Sequence, residues 1–204
     1  MPGLRRTLIH RLPPLACPLL VVLLILLPML LPAAWQERLE YQAMAIADGQ
    51  WWRLISGHLV HLGWGHLSMN LLGFLLIWEL FLRNRMTARR CLFGLFALTL
   101  ICSLGLYLFS PQVAWYRGLS GVLHGLLVWA LLRGLAGQPV GNGLLLGLLA
   151  AKLAWEQWSG PLPGSEAVAQ GLVIVDAHLY GAVGGGLLWG LELGVRRIRN
   201  EVTE

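Results

Sequence analysis

Six apolar runs, at about 15–34, 65–82, 91–109, 119–134, 141–158 and 177–195, take up more than half of this 204-residue chain. Most approach the length at which an α-helix crosses a hydrocarbon core of roughly 30 Å. Of all residues 57% are hydrophobic and only 12% charged, where an ordinary globular domain has about 45–50% and about 25%. The pattern predicts an all-α membrane protein: one domain over 1–204, folded as a bundle of six transmembrane helices in a lipid bilayer.

The connecting segments orient that bundle. Arg5, Arg6 and Arg11 precede the first run, Arg83, Arg85, Arg89 and Arg90 follow the second, Arg133 follows the fourth, and Arg196, Arg197 and Arg199 follow the sixth. All fall on one side, which the positive-inside rule makes cytoplasmic, together with both termini. The opposite loops carry Glu37, Arg38, Glu40, Asp48 and Arg53, then Arg117, then Glu156, Glu166 and Asp176. Spans two, four and six therefore begin at the outer face. The net charge of +5 follows from this bias, and basic residues split over short segments make no nucleic-acid surface.

The first run ends in Pro32, Ala33 and Ala34 like a signal peptide, but its apolar stretch exceeds the usual core of about 7–15 residues, and it reads as an uncleaved anchor. Cys17, Cys91 and Cys102 form no C-x-x-C or metal spacing, so neither a disulfide framework nor a metal site is expected.

Polar groups inside a bilayer are costly and tend to face the bundle interior. Span two opens Gly65-His66-Leu67-Ser68-Met69-Asn70, and the i, i+4 spacing puts His66 and Asn70 on one face, where both can donate to a shared point. Alone, the pair is as well explained by bonds to nearby backbone. Span four opens Tyr116-Arg117-Gly118-Leu119-Ser120-Gly121, with His124 one turn on. Unpaired N–H groups at a helix start would meet an anion forming beside Ser120, and Gly118 and Gly121 permit close approach of a peptide. Gly and Ser are also common where membrane helices simply pack. Span six opens Asp176-Ala177-His178-Leu179-Tyr180-Gly181. His178, Gly181 and Gly185 share a face, and Gly121 and Gly125 offer a matching small-residue stripe. If those stripes meet, so do Ser120 and His178, a hydroxyl and the base that could take its proton. Span four, at about 16 residues, is only ~24 Å long, so Ser120 is expected below the lipid surface in a water-filled cavity.

His66-x-x-x-Asn70, Gly118-Leu119-Ser120-Gly121 and Ala177-His178-x-x-Gly181-x-x-x-Gly185 together resemble the three signature motifs of rhomboid intramembrane proteases, in that family's order, and Trp52-Arg53 resembles its first-loop Trp-Arg pair. The resemblance runs from about 51 to 190 and implies cleavage of membrane-anchored proteins by a Ser120–His178 dyad. Asn70, His66 and the Ser120 N–H would stabilise the oxyanion, no acidic third member is implied, and Asp176 is read as a cap of span six. His61 would support the first-loop region. Four residues after the nucleophile the family often has a Tyr stacked on the catalytic imidazole; here His124 stands there. That position and the surrounding Tyr116–Gly125 segment resemble the rhombosortase branch. The branch implies substrates with a C-terminal Gly-Gly motif, a single membrane helix and a basic tail, processed at the periplasmic face of a bacterial inner membrane.

Three residual features have plain readings. Trp51, Trp52, Trp64, Trp115 and Trp158 fit an interfacial aromatic belt, and Glu79 with Arg83 an i, i+4 ion pair. Lys152, inside span five, either pairs with Glu156 or snorkels to the interface; the sharper reading has the two shaping substrate access. An inactive rhomboid-like chaperone or binding protein is the alternative function. A transporter would need repeats or midplane ionisable groups, and no cofactor is implied.

Overall fold

A computed structural model describes residues 15–203; Arg5, Arg6 and Arg11 of the expected inner face lie outside them. The fold is mostly helical, and helices occur at all six apolar runs.

Helix α1 (Ala16–Met29) is shorter than the 15–34 run suggests. Pro28 and Pro32 lack the N–H a helix needs, so the last turn tightens, with Leu31 N–H bonded to Pro28 O. The chain restarts as α2 (Ala33–Leu39), then β1 (Tyr41–Gln42), α3 (Ala43–Ala47) and α4 (Arg53–Ser56). Helix α5 (Trp64–Ile77) continues through a π-helical turn, Trp78–Leu82. Its exposed Glu79–Arg83 pair closes at 2.7 Å. Thr87 accepts the Arg90 N–H to cap α6 (Ala88–Phe109). Strand β2 (Trp115–Tyr116), α7 (Ser120–Gly134), α8 (Pro139–Ser159, with Pro at its start), α9 (Ser165–Ala169) and α10 (Val175–Thr203) complete the order.

Among the described residues two helices, Trp64–Leu82 and Ala88–Phe109, are long and apolar enough to cross a membrane by themselves; α1 and α7 are apolar but shorter. The all-α expectation is amended by one small ladder. Tyr41 pairs with Tyr116 and Gln42 with Trp115, antiparallel, which holds the segment before Ser120 against the first loop.

Helix α7 runs through the middle, apolar and largely buried, as expected for a helix surrounded by others. Helix α10 lies along it and α6 packs on both. Glycine makes the α7–α10 contact possible: side chains added at Gly121, Gly125, Gly181 or Gly185 would strike the facing backbone carbonyls. Since lipid is as apolar as a core, such close van der Waals contact is what holds helices together in a bilayer. Elsewhere large side chains fill the gaps, with the Trp129 ring over Gly94 and the Tyr180 ring over Gly105. Helix α8 is peripheral and buries only Asn142, Leu153 and Glu156.

The two ends differ in charge. At one, Glu192 of α10 meets Arg90 (3.5 Å), Arg133 and Arg196 (3.9 Å). At the other, the first loop folds around Arg53, which is buried. Its guanidinium donates to Glu37 O (2.9 Å), Glu40 O (2.7 Å) and Gln50 Oε1 (2.8 Å). Arg117 joins that loop to β2 through Glu40 at 2.7 Å.

Candidate active site

Ser120 is the first residue of α7. The turn before it depends on Gly118, whose φ of +121° lies in the region that favours glycine. A Cβ there would stand 2.5 Å from His66 Cε1. The first loop secures this turn: Gly118 N–H donates to Gly57 O at 3.0 Å, and the Tyr116 hydroxyl donates to Gly118 O at 2.6 Å. Burial pushes the Tyr116 phenol up, which keeps that proton in place. His58 Nδ1 lies 3.2 Å from the same carbonyl, and its Nε2 is 2.9 Å from Ser103 Oγ. Burial lowers His58 to about 4 and His61 to about 3, so both rings are neutral at physiological pH.

The glycine contact brings Ser120 Oγ to 3.0 Å from His178 Nε2. His178, in the first turns of α10, is buried. His124 stacks on it, centroids 4.2 Å apart and planes inclined by 16°; the position where the family often has Tyr thus still covers the imidazole. His124 Nδ1–H donates to Ser120 O at 2.7 Å.

His66 and Asn70 line the same cavity as Ser120 and His178, an apolar-walled space of about 320 Å³. Asn70 Nδ2 spends one hydrogen on His66 O, at 3.2 Å, and keeps another free to donate. His66 Nδ1 accepts the Leu62 N–H at 3.4 Å, which leaves its proton on Nε2, the atom nearer Gly118. His61 meets the His66 ring edge-on at 5.1 Å. His66, Asn70, Ser120, His124 and His178 thus line one cavity, with Gly118 in the turn against His66 and Gly121 and Gly181 in the helix contact beside it.

One acidic residue at the site has no counterpart in the motifs. The resemblance implies no acidic partner for the histidine, yet Glu156 Oε2 accepts from His178 Nδ1 at 2.9 Å and from Lys152 Nζ at 2.6 Å. Lys152 does not snorkel outward: its ammonium also donates to His124 Nε2 at 2.6 Å. Asp176, expected as a cap, sits inside the first turn of α10. Its carboxylate accepts from Ser110 Oγ (2.5 Å) and Gln112 Nε2 (2.9 Å), fastening α10 to the end of α6. The signal that could have found Glu156 is the i, i+4 Lys152/Glu156 pair on an otherwise apolar span, since paired ionisable groups in lipid point inward.

His124, Glu156 and His178 offer three ligand atoms within 4.8 Å of one another. The Lys152 ammonium already lies among them, so the cluster is built around a cation carried by the chain itself.

The sequence profile of the Rhomboid domain matches residues 48–194. The chain belongs to the rhomboid family. A putative rhomboid protease of Bacillus subtilis (strain 168), YdcA, is 27% identical over 160 residues, covering 76% of this chain and 73% of its own length. The rhomboid match takes in Arg53 and Gln50 of the first loop and every residue of the cavity named above.

Proposed function

We propose that the chain is an intramembrane serine endopeptidase in which Ser120 is the nucleophile and His178 its base. What supports this most is the 3.0 Å approach of Ser120 Oγ to His178 Nε2 at the rim of a cavity large enough for a peptide segment. In this reading Ser120 Oγ attacks the scissile carbonyl carbon while its proton passes to Nε2. The tetrahedral oxyanion takes hydrogen bonds from Asn70 Nδ2, His66 Nε2 and the Ser120 N–H at the start of α7. Collapse expels the amine with the proton from Nε2, and water, deprotonated by the same nitrogen, hydrolyses the acyl-enzyme.

In the bilayer we read six spans with both termini cytoplasmic. The gathering of Arg90, Arg133 and Arg196 around Glu192 supports a single basic face. Ser120 then opens toward the periplasm of a bacterial inner membrane, with Trp51, Trp52, Trp64 and Trp158, all exposed, as an outer aromatic belt. His124 supports the rhombosortase-like branch, and with it substrates ending in Gly-Gly, one membrane helix and a basic tail.

The test is co-expression with a reporter bearing that tail, comparing wild type with Ser120→Ala and His178→Ala at matched membrane levels. Cleavage by wild type alone is expected. Cleavage of a generic rhomboid substrate but not this tail would remove the branch assignment; cleavage of neither would leave the non-proteolytic binding protein as the better account.

A further inference from the structure

The hydrogen-bond chemistry around His178 can be solved donor by donor. Ser120 O can only accept, so His124 Nδ1, 2.7 Å from it, carries the ring proton. His124 is then neutral, its Nε2 is a lone pair, and Lys152 Nζ donates to it at 2.6 Å. Lys152 donates again to Glu156 Oε2 at 2.6 Å. The carboxylate also only accepts, so His178 Nδ1, 2.9 Å away, must carry a proton. His178 Nε2 is consequently the lone pair that faces Ser120 Oγ. The remaining approach, Lys152 Nζ to His178 Nδ1 at 3.1 Å, sets two donors side by side, both aimed at one carboxylate oxygen.

Two opposite charges thus compete for one nitrogen. Were the carboxylate gone, the ammonium would be the nearest partner of Nδ1, and it can only donate. The ring would move its proton to Nε2, the tautomer that cannot accept from a serine hydroxyl. The same carboxylate stands against the imidazolium that forms when Ser120 loses its proton, offsetting an ammonium 3.1 Å away. Stacked at 4.2 Å, His124 presents a ring kept neutral by having both nitrogens engaged.

We infer that Glu156, reaching in from the peripheral helix α8, is the positioning residue that sets the reactive tautomer of His178, and that Lys152 is its counter-ion, which opposes that tautomer whenever Glu156 is missing. This rests on the Ser120–His178 reading above and turns the dyad of the resemblance into a Ser–His–Glu arrangement whose acid comes from a different helix.

The experiment measures Ser120 labelling by a fluorophosphonate and reporter cleavage, in purified full-length protein, for wild type, Glu156→Ala, Glu156→Asp and the double variant Glu156→Ala/Lys152→Met. The fluorophosphonate reads hydroxyl activation without needing substrate docking. Glu156→Ala is expected to lose roughly 10³–10⁴-fold in both readouts, as wrong-tautomer variants of serine proteases do. Glu156→Asp should regain part of the loss. The double variant should be at least about tenfold faster than Glu156→Ala, because the ammonium that imposes the wrong tautomer is gone; a merely structural Glu156 predicts the reverse, since a second buried group has been removed. Equal rates for Glu156→Ala and wild type, or a double variant no faster than the single, would overturn the inference. If Glu156→Ala fails to fold, Glu156→Leu against Glu156→Leu/Lys152→Met makes the same comparison with most of the side-chain volume kept and no acceptor left for Nδ1. Should wild type label no faster than Ser120→Ala, the serine-protease reading itself has failed, an outcome distinct from active wild type with an indifferent Glu156.

Discussion

Gly181→Ala tests whether helix contact sets the Ser120–His178 distance. A Cβ at Gly181 would overlap Gly121 O and stand 2.6 Å from Gly121 C, whereas ordinary contact begins at 3.4 Å. The oxygen overlap is the tighter of the two, so relief needs α7 and α10 to part locally by more than about 0.8 Å, the amount the carbonyl carbon alone would require. Ser120 adjoins Gly121, and His178 lies less than one turn before Gly181, so most of the shift reaches the pair. The Oγ–Nε2 separation would grow from 3.0 Å to about 3.8 Å or beyond, outside the reach of about 2.6–3.2 Å that proton transfer requires. Misplacement by about 1 Å costs on the order of 10²-fold in rate, and overpacking costs about 1–3 kcal/mol of stability. Reporter cleavage in proteoliposomes should show kcat down by that factor with KM little changed, alongside a lower Tm. Gly186→Ala on the same helix is the control, because its Cβ meets nothing within 4 Å; it should keep the wild-type rate. A Gly181→Ala protein that cleaves at the wild-type rate would refute the argument.

Three further outcomes are expected. Asn70→Ala should lower kcat by about 10²–10³ with little change in KM, the signature of a lost oxyanion donor, and an unchanged kcat would assign Asn70 to packing. Arg53→Ala orphans the carbonyls of Glu37 and Glu40 and should lower stability by at least about 2–3 kcal/mol, read as Tm in micelles; an unshifted Tm would argue that water replaces the guanidinium. The folded pKa of His58, about 4, lies below its unfolded value near 6.5, and His61 behaves alike. Protons therefore favour the unfolded chain: stability contributed by these neutral rings is level above pH ~6.5 and falls as pH drops toward 4, by about 3 kcal/mol for His58 alone. Tm measured from pH 8 to 4.5 should fall more steeply for wild type than for His58→Phe, and parallel curves would count against it.

Much of the site could be read from local pattern. The i, i+4 spacing of His66 and Asn70, the Gly-flanked Ser120 and the Gly181/Gly185 stripe are short-range features, and helical geometry alone puts each set on one face. The meeting of Ser120 with His178 is conditional on the glycine stripes meeting, which they do; only the resemblance, not their spacing, joins His66 and Asn70 to that pair. Proline chemistry explains the misjudged end of α1, because composition measured over a window does not register where a missing N–H stops the helix. The two-residue ladder was invisible, since a strand of that length has no periodicity to detect.

By itself the sequence determined that the chain is helical and apolar, which residues are polar within its runs, and which of them share a face, because these follow from 3.6-residue periodicity and side-chain chemistry. Only the tertiary structure decided that Glu156 and Lys152, 22 and 26 residues before His178, point at its Nδ1, and that Arg53 gathers the first loop. Such meetings depend on how separate helices rotate and slide against each other, and that is set by the summed packing of all their faces; no local spacing carries it.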